Sequence, residues 1–290
     1  MARNLLSILD LTRDELLMLT DPNFVPEAPQ AEFKGALSFL FLQPSLRTMS
    51  SFANAGALLG LAPVPIRTTG DEFRDQVDLD DEIEQLAMNS RCVVARTATP
   101  LSADRFKNTA APVINAGDGA NEHPTQALID LTTLRKLGVE GKHVVMMGNV
   151  RDYRVHHSLV RGLAALGLCS VELLCPKGMP LGDPYLPKDV NCTEVEADVD
   201  ADEVLARADF VYLTPTQHFS YPHLQFGQRF SLAQQRAKRV LRAQAKILHP
   251  FPRLQELDRD LDATPFNAYH LQTSLATPTR KRLMAWLLSQ

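Results

Sequence analysis

No stretch of this 290-residue sequence is apolar for long enough to cross a membrane as a helix. Residues 1–21 carry Asp10, Asp14 and Glu15 where a signal peptide would need an apolar centre. Nor is one sign of charge in excess: 30 Lys and Arg face 34 Asp and Glu, for a net charge of −4 and a pI near 6.1. That balance gives no footprint for nucleic acid or an anionic membrane surface, so any anion site must come from local clusters of arginines and helix ends. The four cysteines (Cys92, Cys169, Cys175 and Cys192) lack metal-ligand spacing. Cys92, Cys169 and Cys175 lie in or beside apolar runs and read as buried free thiols, which suits a reduced, cytoplasmic compartment. Internal repeats and low-complexity segments are missing, and so is the G-x-G-x-x-G spacing of a dinucleotide site.

What is present reads as a globular protein, 45% hydrophobic and 22% charged, long enough for two domains of roughly 130–150 residues. Apolar runs at 36–42, 63–66, 92–95 and 112–115 have strand length, with helical patterns at 51–61, 81–89 and 101–107 between them. Residues 123–136 form a longer helical pattern with Pro124 in its first turn. Gly138 and Gly141 interrupt it, and a second series follows. Its strands are at 143–147, 171–174, 210–213 and 246–248, and its helices at 154–166 and 201–206. Thr12-Arg13-Asp14-Glu15 marks an early helix start, and the pattern at 278–288 puts Leu283, Trp286 and Leu287 on one face. This alternation predicts an α/β fold of two domains, each a mostly parallel sheet flanked by helices. The predicted divisions are 1–136, 137–275 and a C-terminal helix, 276–290, packing back on the first domain. Residues 67–80 are polar and strongly charged, and read as an exposed mobile loop.

The chemistry is densest at 39–50. An apolar strand ends at Pro44, Ser45-Leu46-Arg47-Thr48 follows, and then a small-residue helix. A strand leading through a polar turn into a helix presents free backbone N–H groups and the positive dipole end to an anion. Two hydroxyls and a guanidinium at the same turn add phosphate donors. The same residues also read as a Ser/Thr cap with a surface arginine. His123, at a helix start, likewise reads either as a satisfied structural histidine or as a donor.

Four blocks, in order, resemble one family. Pro44-Ser45-Leu46-Arg47-Thr48 resembles the Ser-Thr-Arg-Thr carbamoyl-phosphate loop of the aspartate and ornithine carbamoyltransferases. His123-Pro124-Thr125-Gln126, preceded by Asn115-Ala116-Gly117-Asp118-Gly119, resembles their His-Pro-x-Gln motif. The segment from Gly148 and Asn149 through Arg154 to His157-Ser158-Leu159 resembles their Gly-Asp-x-x-x-x-Arg-x-x-His-Ser-Leu. His249-Pro250-Phe251-Pro252-Arg253 is close to the His-Pro-Leu-Pro-Arg of the aspartate branch, where ornithine enzymes have Cys-Leu-Pro.

The resemblance implies a cofactor-independent carbamoyltransferase that moves the carbamoyl group of carbamoyl phosphate to a small amine carrying a carboxylate. Arg47, Thr48, Arg96 and His123 are the implied catalytic residues. His123 donates to the carbamoyl oxygen, and Arg96 contacts both phosphate and carbonyl oxygen. Ser45, Leu46, Gln126, Pro250 and Phe251 complete the carbamoyl-phosphate site, with Gln126 holding the amide. Arg154, Gln217 and Arg74 are implied for the acceptor. Also implied are a cis Phe251–Pro252 bond, a structural Arg253, and a homotrimer, alone or in a larger assembly. His156 and His157 read as helix-packing and surface residues.

Three departures accompany the match. The family's loop lysine has no counterpart, since no lysine stands between Lys34 and Lys107; Arg74 is the cation offered there instead. Leu213-Thr214-Pro215-Thr216-Gln217 aligns with Met-Thr-Arg-x-Gln, so Pro215 stands where the arginine for aspartate's side-chain carboxylate belongs. Met49 replaces the phosphate loop's second arginine, and Ala53 the usual Glu. The expected function is therefore carbamoyl transfer to an aspartate-like acceptor, with aspartate itself in question. The missing lysine and Pro215 also fit an alternative, a catalytically weak or inactive homologue that binds carbamoyl phosphate or phosphate and serves as an assembly or regulatory subunit.

Overall fold

The apolar runs form parallel strands and the periodic segments form helices in the computed structural model of the chain. It describes residues 2–26, 33–66, 78–196, 198–216 and 227–290. The first elements are α1 (Arg13–Thr20), β1 (Ala36–Phe41), α2 (Leu46–Ala57), β2 (Ala62–Ile66) and α3 (Leu79–Asn89). Next come β3 (Cys92–Thr97), β4 (Val113–Asp118), α4 (Pro124–Lys136), β5 (His143–Met147) and α5 (Arg154–Leu166). Then follow β6 (Ser170–Pro176), β7 (Asn191–Val195), α6 (Asp198–Leu205), β8 (Phe210–Leu213) and α7 (Gln234–Val240). The chain ends with β9 (Lys246–Leu248), α8 (Tyr269–Ser274) and α9 (Ala276–Leu288). The elements form two compact units, residues 1–132 with 275–290, and residues 133–274.

The first unit's sheet runs β2-β1-β3-β4 with every pairing parallel. The chain leaves β1 for β2 on one side, then crosses to β3 on the other. The strand order therefore reverses between β1 and β3. In open parallel sheets such a reversal leaves a crevice outside the carboxyl ends of the two strands. The second unit's sheet, β7-β6-β5-β8-β9, is parallel throughout and reverses between β5 and β8. The inner strands are buried on both faces, as parallel strands under crossover helices must be; Val93, Val94 and Ala95 of β3 are fully inaccessible.

Helix α2 shows how the sequence sets the first crevice. Thr48, Ser51, Phe52, Ala55 and Gly56 are its buried positions, a stripe at the 3.6-residue period. Burying Phe52 alone stabilises by about 1.5–3 kcal/mol. The helix packs against α9, whose Leu283, Met284, Trp286 and Leu287 are buried. A Cβ on Gly56 would come 2.4 Å from Leu37 Cδ2, so glycine sets how closely α2 approaches β1.

Several expectations are corrected. The helix predicted at 51–61 begins at Leu46 and ends at Ala57, so Leu46, Arg47 and Thr48 are its first turn and not a loop before it. Residues 101–107 do not form a regular helix; a single 3-10 turn covers Arg105–Asn108. Strand β7 and helices α7 and α8 were not anticipated. His157 is buried, not on the surface, with its ring stacked on Tyr185 at a centroid distance of 4.0 Å. Cys169 is only half-buried, though burial still pushes its thiol up to about 11; that of the fully buried Cys92 rises to about 12. All four cysteines are free thiols. The predicted loop at 67–80 lies outside the described residues except for Asp78, which caps α3, and Leu79 and Asp80 at its start.

Candidate active site

Three segments meet at the carboxyl edge of the first sheet. Each follows one of the adjacent strands β1, β3 and β4, and the Leu42 N–H donates to the Arg96 carbonyl at 2.9 Å to tie the first two together. After β1, Ser45 stands at the N-cap of α2 with an extended backbone, φ −154° and ψ 94°. A serine there usually accepts from a backbone N–H of the first turn. Ser45 does not: its hydroxyl donates to Thr48 Oγ1 at 2.9 Å. The N–H groups of the first turn are left without a side-chain cap, at the positive end of the helix dipole. The Arg47 side chain lies exposed on that turn and makes no hydrogen bond or ion pair among the described residues. Its surroundings desolvate the guanidinium enough to lower its pKa.

Arg96, near the end of β3, donates from Nη1 to the Ala116 carbonyl at 2.9 Å. The loop after β4 is built to aim His123. Asn115 donates to the Leu6 carbonyl at 2.8 Å and accepts from the Gly117 N–H at 2.7 Å. The buried Asp118 carboxylate accepts from the N–H groups of Leu101 at 3.0 Å and Glu122 at 2.9 Å, and from Asn121 Nδ2 at 2.8 Å. Glu122, also buried, accepts from Ser7 Oγ at 2.6 Å and the Ile8 N–H at 3.1 Å. Gly119 has φ +56°, and a Cβ there would lie 2.5 Å from the Ala98 carbonyl oxygen. The loop can therefore close only with glycine at 119. His123 follows at the head of α4, 5% exposed, with Nδ1 3.3 Å from Thr125 Oγ1. One turn on, Gln126 Nε2 donates to the buried Asp130 at 2.8 Å, which leaves Gln126 Oε1 oriented as an acceptor.

In the second unit Arg154 and Pro215 stand by the same rule just past the carboxyl ends of β5 and β8. After β5, Asn149 donates from Nδ2 to Asp152 Oδ2 at 3.0 Å, and its Oδ1 accepts from the Asp152 N–H at 3.1 Å. This accounts for Asn where the family usually has Asp: a carboxylate at 149 would face that of Asp152 with no proton to share. The turn delivers Arg154 as the first residue of α5, half-buried. Pro215 is buried just beyond β8, beside Thr214, whose Oγ1 is 2.8 Å from His156 Nε2. Burial lowers the His156 pKa to about 3, with His157 adding to the shift, so His156 packs as a neutral ring. Gln217 and Arg74 lie outside the described residues.

Gly148 joins these two strand ends. It has φ +137°, and a Cβ there would meet Thr214 Oγ1 at 2.4 Å and the Thr214 carbonyl oxygen at 2.6 Å. Gly148→Ala is expected to destabilise the second unit by about 2–3 kcal/mol, through strain and the displacement of Thr214. Thermal or urea unfolding checks this; a melt like wild type's would contradict it.

The turn after β9 is held from inside. The Phe251 N–H donates to His249 Nδ1 at 2.9 Å, so Nε2 carries the hydrogen and donates to the buried Glu256 Oε1 at 2.8 Å. Phe251 has φ +54°, and the Phe251–Pro252 bond is cis. This backbone sets the directions of the Pro250 and Phe251 carbonyls. Arg253 is structural: it pairs with both oxygens of Asp262, at 2.6 and 2.7 Å. The Arg253 guanidinium, helped by the Tyr269 hydroxyl, holds the Asp262 carboxyl well below its ordinary value of 3.8. A carboxylate depressed on folding contributes stability above its ordinary value and loses it as pH falls through the folded value. Asp262→Asn is expected to cost about 1 kcal/mol at neutral pH, a partly exposed pair being weakened by solvent. The gap from wild type should close as pH falls below about 4. Melts from pH 7 to pH 3 test this; a constant gap would contradict it.

Sequence reasoning missed the scaffold of Asp118 and Glu122, and it missed Arg280. The signal for Arg280 was a charge on the apolar stripe of α9, one turn before Leu283 and Met284.

Residues 3–136 match the model of the aspartate/ornithine carbamoyltransferase carbamoyl-P binding domain, and residues 140–287 that of the Asp/Orn binding domain. The chain is 31% identical to the aspartate carbamoyltransferase catalytic subunit of Brachyspira hyodysenteriae, over 98% of this chain and 83% of that one. It is 30% identical to that of Staphylothermus marinus, over 98% and 96%. Aspartate transcarbamoylase from Trypanosoma cruzi, solved in complex with carbamoyl phosphate, superposes with a TM-score of 0.80 at 25% identity, covering 99% of this chain and 96% of that one. Its complex with N-(phosphonacetyl)-L-aspartic acid gives 0.81 at 27%, covering 99% and 95%. The two domain matches, in order along one chain whose two parallel sheets carry the four motifs at their carboxyl edges, make this protein a member of the aspartate/ornithine carbamoyltransferase family of enzymes.

Proposed function

We propose that the protein transfers the carbamoyl group of carbamoyl phosphate to the amine of a carboxylate-bearing acceptor, and that aspartate is a poor acceptor. The observation that carries the first half is the uncapped first turn of α2. Its N–H groups and the unpaired Arg47 guanidinium face a strand-order reversal beside Arg96. Ser45, Leu46, Arg47 and Thr48 bind the phosphate, with Arg96 reaching both phosphate and carbonyl oxygen. His123 donates to the carbonyl oxygen, where negative charge grows as the tetrahedral centre forms; fixed donors at that point are the main source of acceleration. Gln126 Oε1 accepts from the carbamoyl amide, as do the carbonyls of Pro250 and Phe251. The acceptor amine supplies the electron pair, so the enzyme needs no nucleophile of its own; the carbon–nitrogen bond forms, the carbon–oxygen bond to phosphate breaks, and the departing phosphate takes the proton that the amine loses. Arg154 takes the acceptor's carboxylate, with Gln217 and Arg74 the further acceptor residues.

Calorimetric titration with carbamoyl phosphate tests the first half. Binding without any amine is the expected result; no heat and no thermal stabilisation at millimolar ligand would overturn it. The proposed quaternary state is a homotrimer, supported by likeness to the family. Sedimentation at micromolar concentration should give three chains per particle, and a monomer alone would count against it.

A further inference from the structure

Arg280 of α9 is 2% exposed and carries a guanidinium into the interior of the first unit. Nη1 donates to the Thr48 carbonyl at 3.3 Å and to the Ser51 hydroxyl. The guanidinium also lies over the Phe52 ring, 4.6 Å from its centroid. Thr48, Ser51 and Phe52 all belong to α2 and lie within its first two turns. Nε is buried with no hydrogen-bond partner, and no carboxylate forms an ion pair with Arg280, among the described residues. Among the described residues, the charged groups that act on it from a distance are Arg96, of like sign, and Asp130, which is bonded to Gln126. Desolvation, with a further push from Arg96, lowers its pKa to about 9, and it stays a cation at neutral pH.

A lone buried cation is costly, and one partnered only by neutral groups gains little in return. A structural staple between two helices needs no charge. What distinguishes this place is its position directly behind the turn that offers Arg47 and the free N–H groups. Two guanidiniums that form no ion pair among the described residues, Arg47 and Arg280, thus gather at the head of α2 with Arg96 near them, and Asp130 is the carboxylate that acts on Arg280. The imbalance has the sign a phosphate dianion would correct.

We infer that Arg280 is a positioning residue of the phosphate site: it holds the first turn of α2 by the Thr48 carbonyl and Ser51 hydroxyl, and its buried charge is balanced only when a phosphate oxyanion occupies that turn. This rests on the carbamoyl-phosphate reading given above. The charge adds to phosphate affinity through the field, without touching the ligand.

The test uses the full chain, inorganic phosphate as the probe, and the variants Arg280→Met and Arg280→Gln. Methionine fills the space without the charge. In phosphate-free buffer Arg280→Met is expected to melt at or above the wild-type temperature, because an apolar side chain replaces an uncompensated buried cation. Its phosphate Kd should rise about tenfold. The stabilisation that saturating phosphate gives should then shrink by about 2–4 °C. A merely structural role predicts the opposite pattern, a lower melt without phosphate and an unchanged Kd, and that result overturns the inference. If the methionine variant does not fold, the glutamine variant decides. It keeps hydrogen-bond donors for the Thr48 carbonyl and Ser51 hydroxyl without the charge, so a Kd raised about tenfold supports the inference and a Kd within about threefold of wild type contradicts it. Wild type that binds no phosphate would instead overturn the carbamoyl-phosphate reading, and this inference with it.

Discussion

Arg47→Ala is expected to weaken carbamoyl-phosphate binding by about 2–5 kcal/mol, roughly thirtyfold to several thousandfold, while leaving the fold intact. Both halves of that expectation come from the same geometry. The Arg47 side chain is exposed and has no hydrogen bond or ion pair among the described residues, so its removal breaks nothing that holds α2 in place. Thr48, Ser51 and Phe52 keep the helix seated. The change in stability should stay within about 0.5 kcal/mol, as for other surface substitutions. Binding should suffer because the guanidinium offers a charge-assisted, bidentate contact that neither the helix dipole nor the Ser45 and Thr48 hydroxyls can replace. Arg47→Lys keeps the charge without the fork and should fall between wild type and alanine. Calorimetry on the folded variants, with melts as the control, makes the comparison. Unchanged affinity in a folded Arg47→Ala protein would contradict the assignment of the phosphate site.

The second large effect concerns the acceptor. By the family pattern two arginines divide the two carboxylates of aspartate, and here only Arg154 of that pair is present. Pro215, which stands in place of the other, has no side-chain donor and no backbone N–H. It is buried just beyond β8, next to the fixed Thr214. With Pro215 in the fixed donor's place, the second carboxylate of a dicarboxylate depends on the loop cation Arg74, and a site lacking a required fixed partner discriminates by factors of about 10⁴. An amine with a single carboxylate avoids that cost. The expected result is a kcat/KM for aspartate lower by orders of magnitude than for the best monocarboxylate amine, with Pro215→Arg raising the aspartate value. If wild type uses aspartate as well as any amine tested, Pro215 does not govern the acceptor.

Most of the element boundaries were legible where periodicity and punctuation coincide. Helix α5 has the predicted bounds because its apolar stripe is unbroken and Gly167, at φ +62°, stops it in the left-handed conformation. The strands β5, β8 and β9 read as plain apolar runs. What was missed has physical reasons. The start of α2 was hidden because its buried face there consists of Thr48 and Ser51, which look polar until Arg280 is seen to bond them. Strand β7, Asn-Cys-Thr-Glu-Val, is an edge strand with one fully buried residue and so has no apolar run to show. Helix α7 buries only Ala237 and reads as a solvated segment. The motifs named the site residues, but the reason they stand together lies in strand order. The reversals between β1 and β3, and between β5 and β8, depend on pairings that no local pattern encodes.

The most direct test of the central claim is release of inorganic phosphate from carbamoyl phosphate, followed continuously with a panel of mono- and dicarboxylate amines. The carbamoylated amine is measured in the same reaction. The account predicts amine-dependent release matched one for one by carbamoylated product, reduced about 10²- to 10³-fold in His123→Ala, which loses the donor to the carbonyl oxygen. Release no faster than the uncatalysed rate with every amine, from protein that nevertheless binds carbamoyl phosphate, would contradict it.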